Sequence, residues 1–165
     1  MVNSMFTLHI LHSIQTTMSC IIVTFEMVSS PCKTGSVVIQ RAVPHHEVPA
    51  LIAASDICIA HPGLNDRNVT QDACPIKVLE CMASSRPSVA SNMPIVREHV
   101  REDVDALLFS PSDPDDLARK VLTLLNDIEL SQRLAPSASE RALTKFTWHE
   151  SQKKLVKVYK KIVDT

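Results

Sequence analysis

Apolar and polar positions alternate in blocks along this chain. Val37-Val-Ile39, Ile57-Cys-Ile-Ala60, Ser88-Val-Ala-Ser91 and Ala106-Leu-Leu-Phe109 are short, nearly continuous apolar runs. Runs of that length, bounded by turn residues, predict strands buried on both faces. Between them the apolar residues recur at helical spacing. Val48, Leu51, Ile52 and Ser55 form one stripe, and Leu117, Val121, Leu124 and Leu125 another. A short helix is predicted from Pro94 to Arg101, and a longer one from about Ile128 to Leu143. Strand and helix alternate, which predicts an α/β fold: a three-layer parallel sheet with right-handed crossovers.

Punctuation residues sharpen the boundaries. Asp113 precedes Pro114, an N-cap followed by proline at a first helical position. Thr147-Trp-His-Glu150 has the form of a capping box for a last helix. Trp148, Leu155, Tyr159 and Ile162 line its apolar face. Pro75 stands where a helix could begin, with Ile76, Leu79, Met82 and Ala83 as its apolar face and Lys77, Glu80 and Ser84 opposite. Ser85-Arg86-Pro87 ends that helix, since the residue before proline is pushed out of the α region.

Residues 1–35 do not follow the pattern. They are apolar in patches, with no lysine or arginine before Lys33. That is not the usual form of a signal peptide, and the runs are too short to span a membrane. The segment reads either as an atypical extension bearing a strand around Ile21 to Phe25 or as unrelated sequence, with the regular domain occupying 36–165.

Size and charge narrow the function. A chain of 165 residues is one domain by length and can bury a real core. With 17 basic and 18 acidic residues its net charge is −1, which argues against a nucleic-acid partner. Five cysteines leave an odd count and no CxxC pair. Cys58 sits in an apolar run and reads as a small buried hydrophobe. A reduced, cytoplasmic setting fits this usage. No zinc spacing is present among cysteines and histidines.

Candidate chemistry gathers between His61 and Ser91. The polar loop from His61 to Ala73 follows the carboxyl end of a strand, the edge where open α/β sheets bind ligands. The N–H groups at the start of the next helix suit an anion. Glu80 lies five residues beyond Pro75, about 7.5 Å along the axis. That is the span from a nucleotide's phosphates to its ribose hydroxyls. The same pattern also fits a solvated Lys77/Glu80 pair on an ordinary amphipathic helix. His45 and His46 are adjacent, do not share a face, and read as surface residues at a helix start. Lys153, Lys154, Lys157, Lys160 and Lys161 fit a solvated helix face near a C-terminus, or contact with anionic lipid. Any membrane contact would be peripheral at most.

The stretch Asp72 to Ser91 resembles the donor-binding segment of retaining, nucleotide-sugar-dependent glycosyltransferases, the "group 1" family of the GT-B fold. The family motif is E-x7-E, with Pro-Leu-Lys-x-x-Glu-x-Met-Ala inside it and Gly-x-Pro-Val-Val-Ala-Ser after it. Here Pro75-Ile76-Lys77, Glu80, Met82-Ala83 and Arg86-Pro87…Val89-Ala90-Ser91 match. Asn65-Asp66-Arg67-Asn68 and Cys74-Pro75 resemble a loop found in some members. The similarity runs from about Val38 to about Tyr159. It implies a Rossmann-like domain, the C-terminal half of a GT-B enzyme that transfers a hexose from a nucleotide sugar to a hydroxyl acceptor with retention and without metal or cofactor. By the resemblance, Glu80 holds the ribose, and Cys74, Pro75, Ile76 and Lys77, with Asn65 and Arg67, bind the donor. Asp72, in the first position of E-x7-E, would be catalytic through the sugar, or would cap the helix instead.

The chain also departs from the family. Arg41, Ser85, Asp103, Ala106 and Ser112 stand where members usually carry glycine, and the Gly-Arg…Lys-Gly diphosphate motif is missing from 1–35. These departures leave three readings open. One is a donor-binding domain, inactive alone. Another is an inactive remnant or nucleotide-binding subunit that needs a separate acceptor-domain partner. The third is a doubly wound binding module whose resemblance is at the level of the fold only. In the family the last helix crosses to the other domain, so its apolar stripe would be exposed here.

Overall fold

The structure is a computed structural model that describes residues 5–12, 18–26, 37–40, 44–62 and 74–163. Six strands form one sheet. They are β1 (Met5–His12), β2 (Met18–Glu26), β3 (Val37–Gln40), β4 (Ile57–Pro62), β5 (Ser88–Ser91) and β6 (Leu107–Phe109). The order is β3-β1-β2-β4-β5-β6. The helices are α1 (Val48–Ala53), entered through a 3-10 turn at His45–Glu47, then α2 (Ile76–Ala83), α3 (Pro94–Arg97), α4 (Pro114–Asn126), α5 (Ile128–Lys145) and α6 (Trp148–Val163).

The half of the sheet that carries the predicted pattern is parallel. β4 pairs with β5 through Ile59↔Val89, and β5 with β6 through Ala90↔Leu108. Side chains alternate between the two faces of these strands. Cys58, Ala60, Ala90 and Leu108 point to the layer of α1, α2 and α3. Ile57, Ile59, Val89, Leu107 and Phe109 point to the layer of α4 and the start of α5. Leu134 of α5 joins the second cluster, whereas Ala138 and Ala142 join the first. Helices therefore cover both faces, as a parallel sheet requires.

The amino-terminal strands extend the expected sheet. β1 and β2 form an antiparallel hairpin, from Met5↔Glu26 to His12↔Ser19. β2 then lies antiparallel to β4, and β1 lies parallel to β3. The sequence pointed to one strand near Ile21 and not to its partner. It also treated Val37–Ile39 and Ile57–Ala60 as a simple crossover pair. The hairpin stands between them, because β-rich segments close in sequence can pair antiparallel with each other.

Helix α2 is rotated from its expected setting. Val78, Cys81 and Met82 are buried, together with Pro75, which is the N-cap rather than the first helical residue. Ile76, expected inside, is 57% exposed, and Ala83 is exposed as well. Cys58 of β4 and Cys81 of α2 face each other in the core, with Cα atoms 6.0 Å apart, and form a disulfide. Cys58 is thus buried as expected, but it is not an isolated hydrophobe. Pairing across 23 residues leaves no signature in cysteine spacing. The rotation turns Lys77 and Glu80 from open solvent to a half-buried position.

Three of the family-glycine positions adopt left-handed backbone: Ser85 at φ 52°, Asp103 at 60° and Ser112 at 64°. Ala106 is not among them, and Arg41 lies outside the described residues. Ser85 follows α2, where glycine commonly ends a helix; its N–H donates to Met82 O at 3.2 Å. The left-handed conformation costs an L-residue about 1–2 kcal/mol, partly offset by glycine's entropy loss of roughly 0.5–1 kcal/mol. Ser85→Gly is therefore expected to stabilise the chain by about 0.5–1 kcal/mol, a rise of roughly 2–3 °C in melting temperature. A thermal melt with an unchanged or lowered midpoint would show that the turn carries no such strain.

Candidate functional site

The site is built where α1 and α2 pack side by side on β4. A groove of about 260 Å³ runs between them, lined by Val48, Pro49, Ile52 and Ala83 on its apolar walls and by His45, Glu80 and Ser84 at its polar positions. Arg86, just beyond α2, donates to the Ala53 carbonyl at the end of α1 and ties the two walls together. Ser84 Oγ donates to Glu80 O at 2.8 Å, which closes the last turn of α2 on itself.

Glu80 is the focus. Its side chain is 21% exposed, and both carboxylate oxygens are engaged. Lys77 Nζ donates to Oε2 at 3.0 Å, one helical turn away. His45 Nε2 lies 3.3 Å from Oε1, reaching across from the 3-10 turn. A carboxylate offers about four acceptor positions, so capacity remains for hydroxyl donors from a ligand. The volume lies below the roughly 300–1,000 Å³ of drug-sized pockets.

The start of α2 is tighter than free N–H groups would require. Ile76 donates its N–H to Cys74 O at 2.9 Å, and Val78 donates to Pro75 O at 2.9 Å. Pro75 has no N–H. Of the run from Cys74 to Lys77, Ile76 is turned onto its own chain, which narrows the anion-binding edge from what the sequence suggested. Cys74 is exposed and free, and partial desolvation raises its thiol pKa, so it is not poised as a thiolate. His61, the next-to-last residue of β4, has its ring 5.5 Å from that of Phe109.

The fold and this edge can now be set beside known proteins. A profile described as glycosyl transferases group 1 matches residues 19–127. The chain belongs to that family. Its relatives include the MMP alpha-(1->4)-mannosyltransferase of Mycolicibacterium hassiacum, 29% identical over 135 residues, covering 73% of this chain and 33% of that protein. The D-inositol 3-phosphate glycosyltransferase of Salinispora arenicola is 30% identical over 134 residues, covering 81% of this chain and 28% of the relative. Among solved structures, Anabaena HepE in complex with UDP and glucose matches with a TM-score of 0.64 at 20% identity, over 76% of this chain and 32% of that one. Sucrose-phosphate synthase from Thermosynechococcus elongatus matches with a TM-score of 0.64 at 19% identity, over 78% of this chain and 30% of that one. The chain thus spans about a third or less of each of these proteins. The structural likeness supports a Rossmann-like domain of the GT-B kind.

For this group 1 domain, the expected residues divide into two sets. Cys74, Pro75, Ile76, Lys77 and Glu80 lie together at the start and along one side of α2. Asn65, Arg67 and Asp72 lie outside the described residues. The sequence reading missed His45 as a neighbour of Glu80. Only its place at a helix start was legible, because the contact joins residues 35 apart.

Proposed function

We propose that this chain supplies the donor-binding half of a glycosyltransferase. The enzyme would move a hexose, with retention, from a nucleoside diphosphate sugar to a hydroxyl acceptor. The observation that carries the reading is the half-buried Glu80 carboxylate at the polar end of an apolar groove, on a helix that starts at the carboxyl edge of the sheet. In this reading Glu80 accepts from the ribose hydroxyls, and the base lies along Val48, Pro49 and Ala83. The diphosphate lies toward Lys77 and the start of α2, where the helix dipole favours negative charge. Asp72, which precedes α2 in the sequence, meets the sugar, and Asn65 and Arg67 bind the donor with it. Such a transfer needs no nucleophilic triad. It needs positioning and stabilisation of the leaving diphosphate.

The acceptor would be held by a separate domain or chain, so this chain alone is expected to bind donor and not to turn it over. We place the domain in the cytoplasm, where burial in the core shields the Cys58–Cys81 disulfide from reductants. Calorimetric titration with UDP, GDP and ADP tests the reading, alongside release of label from a nucleotide sugar. Binding of one nucleotide, with no label released above solvent hydrolysis, is expected. Silence with all three would overturn donor binding, and sustained turnover would overturn the need for a partner.

A further inference from the structure

We propose that the Cys58–Cys81 disulfide positions the carboxylate of Glu80, so that donor recognition is coupled to the oxidation state of this cysteine pair. The proposal rests on the donor-binding reading of Glu80. Cys81 is the residue next to Glu80 on α2, and Cys58 faces it from β4.

The two ends of the bond are not equally free to move. β4 is an inner strand: Cys58 is paired with Ile22 of β2 on one side and with Ser88 of β5 on the other. Its N–H donates to Pro87 O at 2.9 Å. α2 has only eight residues, and its outer side lies in solvent, with Ile76 and Ala83 exposed. A helix this short has little stability of its own and takes its setting from what it packs on. The disulfide ties that helix covalently to the sheet.

Reduction changes the space the pair needs. A dithiol supplies two electrons and two protons: the Sγ–Sγ bond breaks, two thiols form, and the reductant closes to its own disulfide through a mixed intermediate. Unbonded heavy atoms settle about 3.5–4 Å apart, so the two sulfurs must separate. Ile52, Val78, Met82 and Ala90 share the cluster around them, and a close-packed interior has no spare room. The sheet holds β4 on both sides, so α2 takes the displacement. Glu80, about 100° around the helix from Cys81, is carried with it. Its Oε1 lies 3.3 Å from His45 Nε2, close to the limit of hydrogen-bond reach. A small shift of α2 breaks that contact and moves the acceptor away from where a ribose would meet it.

Both cysteines are closed off from solvent, at 0% and 1% exposure. A reductant therefore reaches them only when α2 lifts from β4. A ribose bound to Glu80 holds α2 down. The coupling is reciprocal: the factor by which reduction weakens donor binding is the factor by which bound donor favours the disulfide.

The test uses the full chain, equilibrated in buffers of reduced and oxidised dithiothreitol. Alkylation and peptide mass spectrometry report Cys58 and Cys81, and the far-ultraviolet spectrum reports the fold. Calorimetric titration with UDP, GDP and ADP, and with the 2′-deoxy analogue of whichever binds, is run on both redox forms. The oxidised chain should prefer ribose over deoxyribose about tenfold, and the folded, reduced chain should lose most of that preference. Saturating nucleotide should shift the redox equilibrium toward the disulfide by the factor that reduction takes from affinity. The double variant Cys58→Ala with Cys81→Ala keeps the other cysteines, and its affinity should not respond to dithiothreitol. A disulfide that only stabilises the fold would lower the melting midpoint on reduction and leave the ribose preference unchanged, which would overturn the proposal. So would a dithiothreitol response that persists in the double variant, or Cys58 and Cys81 found as thiols in chain prepared without reductant. Absence of binding by the oxidised chain would overturn the donor reading and this proposal with it, whereas equal ribose preference in both redox forms would overturn this proposal alone.

Discussion

Replacing Glu80 by alanine is expected to weaken nucleoside diphosphate binding about 10- to 100-fold. Hydrogen bonds to a charged acceptor contribute about 1.5–3 kcal/mol, and each 1.4 kcal/mol is a factor of ten. The carboxylate that would make them is preorganised: Lys77 and His45 hold it from two sides, and the groove walls shield it. The same two partners pose the competing explanation, that Glu80 serves only to join α2 to the 3-10 turn. The ligand can separate the two. If Glu80 reads the ribose, the parent chain should prefer a nucleoside diphosphate over its 2′-deoxy analogue about tenfold, and Glu80→Ala should erase that preference. His45→Ala removes the cross-element contact and should leave the preference intact. A Glu80→Ala chain that still discriminates ribose from deoxyribose would sink the assignment.

Much of this domain was legible because its elements announce themselves locally. The strand at Ser88–Ser91 and the helix starting at Pro114 fall where the apolar runs and proline place them. Asp113 accepts from Asp116 N at 2.9 Å, the cap expected of an aspartate before such a proline. The left-handed backbone at Ser85, Asp103 and Ser112 was foreshadowed by family glycines replaced at those positions. What escaped the sequence was relational. The rotation of α2 depends on the contact of Cys81 with Cys58, and no period within an eight-residue helix encodes that. The place of β3 depends on a hairpin that inserts beside β4, and pairing partners are not written in either strand alone. The His45–Glu80 contact depends on how α1 and α2 pack. Residue types at the site were therefore readable, whereas their mutual geometry required the fold.

Asp105→Asn is expected to destabilise the chain by about 2–3 kcal/mol. Asp105 is fully buried, in the turn between α3 and β6. Its Oδ2 accepts from the Arg101 backbone N–H at 3.0 Å and from Arg101 Nε at 2.9 Å. Its Oδ1 accepts from Arg101 Nη2 at 2.7 Å and from Ser137 Oγ at 3.0 Å, which ties the turn to α5. Asparagine keeps the size but turns an N–H₂ toward one of these donors and removes the charge. Complete loss of a buried pair costs about 3–5 kcal/mol, and the value here is lower because Arg101 is half exposed and can rehydrate. At a few degrees per kcal/mol, the melting midpoint should fall by roughly 5–10 °C. Burial alone would raise the carboxyl pKa, but the Arg101 side chain and backbone, with Ser137, outweigh it and hold it below its ordinary value. A carboxylate whose folded pKa is depressed stabilises fully above its unfolded value of about 3.9 and loses that contribution as pH falls through the folded value. The gap between parent and Asp105→Asn should accordingly be full near neutrality and shrink below about pH 4. Arg101→Ala should cost a comparable amount, since it leaves the buried carboxylate with the backbone N–H of residue 101, Ser137 and Arg141 Nε, 3.5 Å away, as its partners. Denaturant melts of the three chains at neutral and acid pH would decide. A neutral-pH loss under about 0.5 kcal/mol, or a gap of the same size at every pH, would mean that this carboxylate does not hold the turn on α5.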